Sequence, residues 1–596
     1  MIDTRLSYRV GYPRLPVLPL ETKIWQPFRG WPPLSPKIYR ILFEEHVVYN
    51  WCDIVKRHAP GTSPAAKRTF LVASDVSVPG QYDAWKAATY RIRNLLIDQN
   101  YPEIDIEFID ISAVDGVIPS PVKHDEKDII SAWETFADTL MDAIQNQSWL
   151  AVDVVRRKLG EQNPTWKPTV FITATDAAHV EWWESILPAL RRKLPDFFDL
   201  DLLHGTSILK TQSESESEPS DFDDLPEVFT SMKSYEKILK MGASIGLQGG
   251  QTGTLGSLVR LEKDGEHIDL ALSSHHVFAQ DGAHLRCPSA GHFLPPAHPH
   301  ALNKELEITS PSDGDHQRLL DRKQKILQRY SNCSAPEVDT YKTCDSLKKD
   351  IYVLKAADRA IGHLFSASGF RVTPNQRFTQ EQAVKLSRVL EPGVTTPTGQ
   401  KTAPSLRQEI DGKTLQWGLN WSLARVSPSH QLSRLTPLNT GRATRVPDLL
   451  EASQYCSIDP NKSYDVAKIG RTSGWTSGKI NNIGSRLNLR VDHISVVPTE
   501  LKHRYGTVIL SYGVVVDERF PEFLEPGDSG SAVLLKDRSK KQATIVGLGF
   551  AGNSRTRISY MQPMDLVVKD IEEITGCKVV YPRFVGEEPG TVIQDD

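Results

Sequence analysis

Apolar and polar positions fall into two textures along the chain. From Thr69 onward, short alternating or apolar runs predict strands at "TFLVAS", "IDIEFIDI" (104–111), "TVFITAT" (169–175) and "FDLDLLHG" (198–205). Between them, Trp85, Ala88, Ile92 and Leu96 recur at helical spacing, as do Ile129, Trp133, Phe136, Leu140 and Ile144. Strands separated by helices predict an α/β layer domain over residues 41–208. Beyond residue 236 the runs shorten and glycine punctuates them: "GTLGSLVRL", "DLALSSHHVF", "WSLARV", "DVAKIGRTSGWTSGKI", "GTVILSYGVVV", "GSAVLL" and "ATIVGLGFAGN". This texture predicts an all-β barrel or sandwich, closed by a C-terminal helix whose stripe is Met564, Val567, Ile571 and Ile574.

Two further segments bound these regions. Residues 1–40 hold "PRLPVLPL" and "WPPLSPK", whose prolines favour extended backbone and predict a packed arm or loose lead-in. Residues 209–235 contain "TQSESESEPSDFDDLPE", too acidic and serine-rich to bury a core, and read as a linker. A long insertion occupies about 280–400 within the β-rich region, and residues 578–596 form a tail. Inside the insertion, "HQRLLDRKQKILQRY" predicts an amphipathic helix with Leu319, Leu320, Ile326, Leu327 and Tyr330 on its apolar side, packed against the barrel.

The chemistry concentrates at "EPGDSGSAVL" (525–534). Acyl transfer by serine needs an activated hydroxyl, an imidazole base and donors for the oxyanion. Ser529 offers the hydroxyl, and the flanking glycines allow a turn that aims the N–H groups of Gly527 and Ser529 at one oxygen. Upstream, "DLALSSHHVF" carries an alternating strand into two histidines; His276 is the candidate base, and His275 is expected on the other face.

These motifs resemble those of trypsin-like (chymotrypsin-fold) serine peptidases: "SSHHVF" their histidine strand, "GDSGSAV" their serine loop, and "TIVGLGFAGN" the strand after it. Together with "GTLGSLV", "KIGRTSGWTSGKI" and "YMQPMDLVVKDIEEITG", they are similar to intracellular fungal members, over roughly residues 240–577. The resemblance implies a two-barrel β fold, peptide-bond cleavage without a cofactor, Ser529 as nucleophile, His276 as base, and an oxyanion hole at Gly527 and Ser529. By the same analogy a substrate pocket has its base near Phe523 and its wall near Gly549, uncharged and apolar-leaning.

The third triad member departs from the pattern. Where the family opens a strand with Asp, "LQWGLNWSLARV" places Asn420. In such a triad Asp to Asn costs about 10⁴ in kcat, because the amide favours the wrong imidazole tautomer. Three readings stay open: Asn420 orients the ring in an impaired peptidase, Asp411 or Asp358 substitutes, or the domain is a silent pseudo-protease that binds or scaffolds. Asp528 poses a separate requirement. Its family equivalent pairs with a freshly cleaved N-terminal ammonium, so without a cut near Ile245 it needs another cation or backbone donors.

Composition adds little. At 596 residues the chain exceeds a single core, and a net charge of −4 with 24% charged residues gives no reason to expect nucleic acid or an anionic membrane as partner. No secretory leader pattern or membrane span is visible, which predicts a cytoplasmic protein; the peptidase resemblance implies peptide or protein substrates. The six cysteines, 52, 287, 333, 344, 456 and 577, show no CxxC pair and are expected as thiols, which makes the sequons at Asn332 and Asn461 incidental. "CPSAGHFLPPAHPH" gathers Cys287, His292, His298 and His300 but fits no zinc spacing, so no metal is expected. "GLQGGQTGTLG" lacks the lysine of a phosphate loop, and the 41–208 region has no nucleotide fingerprint. Trp182 and Trp183 fit either a stacking surface or core, and helical spacing with Ile186 and Leu190 favours core.

Overall fold

The computed structural model describes the chain except residues 1, 24–27, 29, 61–67, 209–234, 279–305, 332–337, 369–370, 375–415, 434–450, 489–507, 536–541 and 586–596. The described residues are mostly β, in several sheets with a few helices. The first sheet has six strands, of which Arg68–Ser74 and Asp105–Asp110 run parallel through the helix Gln81–Asp98. That helix buries Trp85, Ala88, Ile92 and Leu96 completely, the stripe expected from their spacing.

The proline-rich start is not an arm. Asp3–Leu6, Arg9–Tyr12 and Glu21–Lys23 are strands of this first sheet, and Trp31–Glu44 is a helix on it. Pro13, Pro16 and Pro19 fall in the connection between the second and third of these strands, and Pro32 and Pro33 in the first helical turn, where the missing N–H is not needed. Buried Glu107 receives Arg9 from the adjacent strand at 2.8 Å and Arg57 from the strand beyond Arg68–Ser74 at 3.0 Å, tying the middle of the sheet together. Burial works against its charge, yet the two guanidiniums hold its carboxyl down to about 2.

The remainder of the N-terminal half does not stand apart from the β-rich region. Trp149–Leu159 and Thr165–Ala174 form a long hairpin, and Asp199–His204 adds parallel to the second strand. Ala151 and Val152 pair with Leu487 and Arg486, so one fifteen-stranded sheet runs from the hairpin into the C-terminal half. At this junction Asp153 is fully buried and accepts from Ser485 Oγ (2.6 Å), Tyr560 OH (2.9 Å), Thr556 Oγ1 (3.1 Å) and Asn553 Nδ2 (3.2 Å). Trp182 and Trp183 are buried as core residues, their indole N–H groups donating back to Asp176 Oδ1 (3.0 Å) and Ala177 O (2.9 Å).

The C-terminal half places an eight-stranded sheet against strands of the fifteen-stranded one. The first holds Ser257–Lys263, Glu266–Ser273 and Ser422–Val426; the second holds Asp465–Gly470, Val508–Val516, Ala532–Leu535, Gln542–Asn553 and Ile558–Pro563. Their facing side chains share one apolar core, which the helix Met564–Thr575 closes with Met564, Val567 and Ile571. In the insertion, helix Asp313–Ser331 meets the barrel strands Ser244–Leu247 and Thr252–Thr254, as its apolar side predicts, and its Leu319 and Leu320 also pack on Ile351 and Leu354 of a second helix, Val338–Ala356.

Candidate active site

Strand Glu266–Ser273 ends in Ser274, after which residues His275–Val277 make one tight turn. The turn carries the His276 ring inward, and both histidines are buried. Strand Ser422–Val426 pairs with this strand, Ser422 opposite Ser273, which sets Asn420 just before it at the height of the histidine turn. Gln562 fixes Asn420 in place: its Oε1 accepts from Asn420 N–H and its Nε2 donates to Asn420 O, both at 2.8 Å.

The orientation of the Asn420 amide follows from its two contacts. Its Oδ1 accepts from His276 N–H at 3.1 Å, so the other branch, the NH₂, faces the ring and donates to Nδ1 at 2.6 Å. An imidazole that accepts at Nδ1 carries its proton on Nε2. Burial pushes the His276 pKa down to about 4, so the ring is neutral over the ordinary pH range.

Three carbonyl and amide contacts shape the serine loop. Thr254 donates through its N–H to Ser529 O (2.8 Å) and through Oγ1 to Gly527 O (3.0 Å), while Gly530 N–H donates to Gly549 O (2.8 Å). Gly527 and Gly530 both have φ of 94°, a conformation that side chains resist. The loop abuts the histidine turn directly. A Cβ on Gly253 would lie 2.3 Å from Val277 Cγ2 and 3.0 Å from Ser529 O, which explains glycine there. Ser529 itself is fully buried, and its Oγ donates to Phe550 O at 3.1 Å.

Asp528 has the cation that the sequence required, without cleavage. Lys468 Nζ lies 2.6 Å from Asp528 Oδ2, and both side chains are wholly buried. Ser473 Oγ (2.5 Å) and the N–H groups of Thr472 (2.8 Å), Glu525 (3.0 Å) and Ser473 (3.2 Å) complete the shell. Burial would raise this carboxyl, but the ammonium and these donors hold it below its ordinary value. Lys468 was legible in principle: within "DVAKIG" it shares the inward parity of Val466 on an otherwise apolar strand. Arg471, three residues on, joins the loop to the insertion through Asp315 at 2.5 Å.

The other candidates separate. Asp358 is exposed, with its carboxylate on Ala360 N–H, away from the histidine turn. Asp411 and the span 287–300 lie outside the described residues. Phe523 is fully buried core, its carbonyl accepting from Thr476 Oγ1, and neighbouring Leu524 covers Gly549, where a Cβ would meet Leu524 Cδ1 at 2.8 Å. Among the described residues Cys52, Cys344, Cys456 and Cys577 are free, no metal-ligand cluster occurs, and no helix is long and apolar enough to cross a membrane.

No family model and no curated protein matches the chain. Among solved structures it is similar to a chymotrypsin of Cellulomonas bogoriensis, at 15% identity over 27% of this chain and 69% of that one, with a TM-score of 0.17. It is also similar to a glutamic acid specific serine protease that uses a histidine triad in substrate binding, at 10% identity over 57% of this chain and 100% of that one, with a TM-score of 0.24. Both likenesses are faint, and the chemistry of the site rests on its own residues.

Proposed function

We propose that the C-terminal half is a serine endopeptidase-type site, acting on peptide or protein substrates through an acyl-enzyme, and throttled by Asn420. Ser529 Oγ attacks the substrate carbonyl, the N–H groups of Gly527 and Ser529 receive the oxyanion, and His276 Nε2 takes the serine proton. The observation that carries this reading is the contact of Asn420 Nδ2 with His276 Nδ1 beside the serine loop. What supports the reading is an amide at the ring nitrogen that a triad acid would occupy, with its polarity reversed.

To act as base, His276 must shift its proton from Nε2 to Nδ1, where N–H would confront the Asn420 NH₂. Turning the amide over relieves that clash only by aiming NH₂ at His276 N–H, which now donates to Oδ1. Either route adds a barrier that a carboxylate would remove. The test is a fluorophosphonate probe on the full chain: Ser529→Ala abolishes labelling, and Asn420→Asp accelerates it by about 10³ to 10⁴. A folded protein that never labels at any pH, or an Asn420→Asp rate equal to wild type, overturns the proposal.

A second reading, a silent peptide-binding domain, draws support from the Ser529 hydroxyl, which is committed to Phe550 O at 3.1 Å. Failure of Asn420→Asp to label, in a variant that still binds peptide, selects it.

A further inference from the structure

Following the strand Gln542–Asn553 past the serine shows what occupies its edge. Leu548 pairs with Ala532; Gly549 exchanges hydrogen bonds with Gly530 and Ser531; Phe550 O takes the Ser529 hydroxyl. Two residues further, Gly552 N–H donates to Ile208 O at 2.7 Å. Gly552 stands opposite Ser559 on the other neighbouring strand, yet its N–H turns to Ile208, so its main chain faces the edge that the serine loop has just left. Ile208 is 4% exposed and shares a core with Phe550, Ala551 and Tyr560, whereas Thr206 and Ser207 before it are exposed.

An extended peptide whose carbonyl sits at Ser529 gains main-chain hydrogen bonds by adding a strand along this edge. We propose that Ile208, the last described residue of the N-terminal half, is an intramolecular occupant of that peptide-binding edge, so that a peptide substrate must first displace it. This rests on the reading of Ser529 as the site of acyl transfer. Among the described residues the contact is one backbone bond anchored by one apolar side chain and preceded by two exposed residues, and therefore one that a competing chain can replace.

The experiment separates the two readings. In the full chain carrying Ser529→Ala, binding of a fluorescein-labelled Thr-Ser-Ile-Leu peptide is measured by anisotropy with and without Ile208→Asp, which ejects the buried side chain. Affinity is expected to tighten at least tenfold, and Gly552 amide exchange to quicken; Ile208→Ala, the gentler change, shifts both in the same direction should the aspartate unfold the protein. Faster Gly552 exchange with unchanged affinity overturns the proposal, as does unchanged exchange. Fluorophosphonate labelling of the same Ile208 variants with Ser529 intact reports on the nucleophile alone: its absence counts against acyl transfer and leaves the peptide result to stand or fall by itself.

Discussion

Replacing Lys468 with methionine removes the ammonium that pairs with Asp528 while keeping the length of the side chain. Breaking a fully buried ion pair by deleting one partner costs about 3–5 kcal/mol, because the survivor stays charged and dry. Asp528 retains Ser473 Oγ and the N–H groups of Thr472, Ser473 and Glu525, which places the loss near the lower end, about 3 kcal/mol. At about 1 °C per kcal/mol for a cooperative unit of several hundred residues, Tm falls by about 3 °C at neutral pH. The pH dependence gives the sharper signature. In the wild type the carboxyl lies below its ordinary value, so its contribution is present above about 3.8 and is lost as the pH falls through the folded value. Without the ammonium, burial dominates and raises the carboxyl, so acid relieves the variant and the Tm gap narrows between pH 7 and 4.5. Lys468→Met/Asp528→Asn, which removes both charges, recovers part of the loss. Thermal unfolding across this pH range checks all three statements; a fall under about 1 °C, a gap that widens in acid, or a double variant no better than the single one refutes the reasoning.

Other expectations follow from the same geometry. Gly470→Ala puts a Cβ 2.2 Å from Asp528 Oδ1, against a wholly buried pair, and is expected to abolish soluble expression or lower Tm more than Lys468→Met. Because burial holds His276 down to about 4, the acid limb of fluorophosphonate labelling falls near pH 4 in the wild type and moves upward in Asn420→Asp, where a carboxylate stabilises the imidazolium; identical limbs contradict the placement of Asn420 at the ring. Asp153→Ala strands the four donors at the sheet junction and costs about 1–3 kcal/mol in thermal unfolding, more than Asp153→Asn, which keeps an acceptor. Burial raises the Asp153 carboxyl, so the stability it lends is full below its unfolded value and fades as the pH rises through the folded one, opposite in sign to Asp528.

What local pattern controls was legible in the sequence. The strands around Phe70, Phe108 and Phe171, the helices bearing Trp85 and Trp133, and the C-terminal helix all follow from period two or period 3.6, since each needs only its own residues. The serine loop was legible because glycine at Gly527 and Gly530 answers a backbone requirement, and Asn420 stood out against a known pattern. Partnerships between distant segments were not. Nothing near Val152 announces Arg486, and nothing near Asp528 announces Lys468, because register between remote strands depends on how whole sheets meet. The proline-rich start misled because its prolines mark the 13–20 connection and the first helical turn, while the short strands Asp3–Leu6, Arg9–Tyr12 and Glu21–Lys23 around them have no proline and too few residues to show a period.

The strand pairing of Ala151 and Val152 with Leu487 and Arg486 bears on what a nick would do. Severing the acidic stretch between the halves would not free them, because the two fragments remain stitched by ladder hydrogen bonds and by Asp153 inside the other half's polar cluster. A nicked molecule would behave as a fragment-complementation pair and migrate as one particle until denatured. Either fragment made alone would bare an unpaired row of backbone donors and acceptors, a template for self-association.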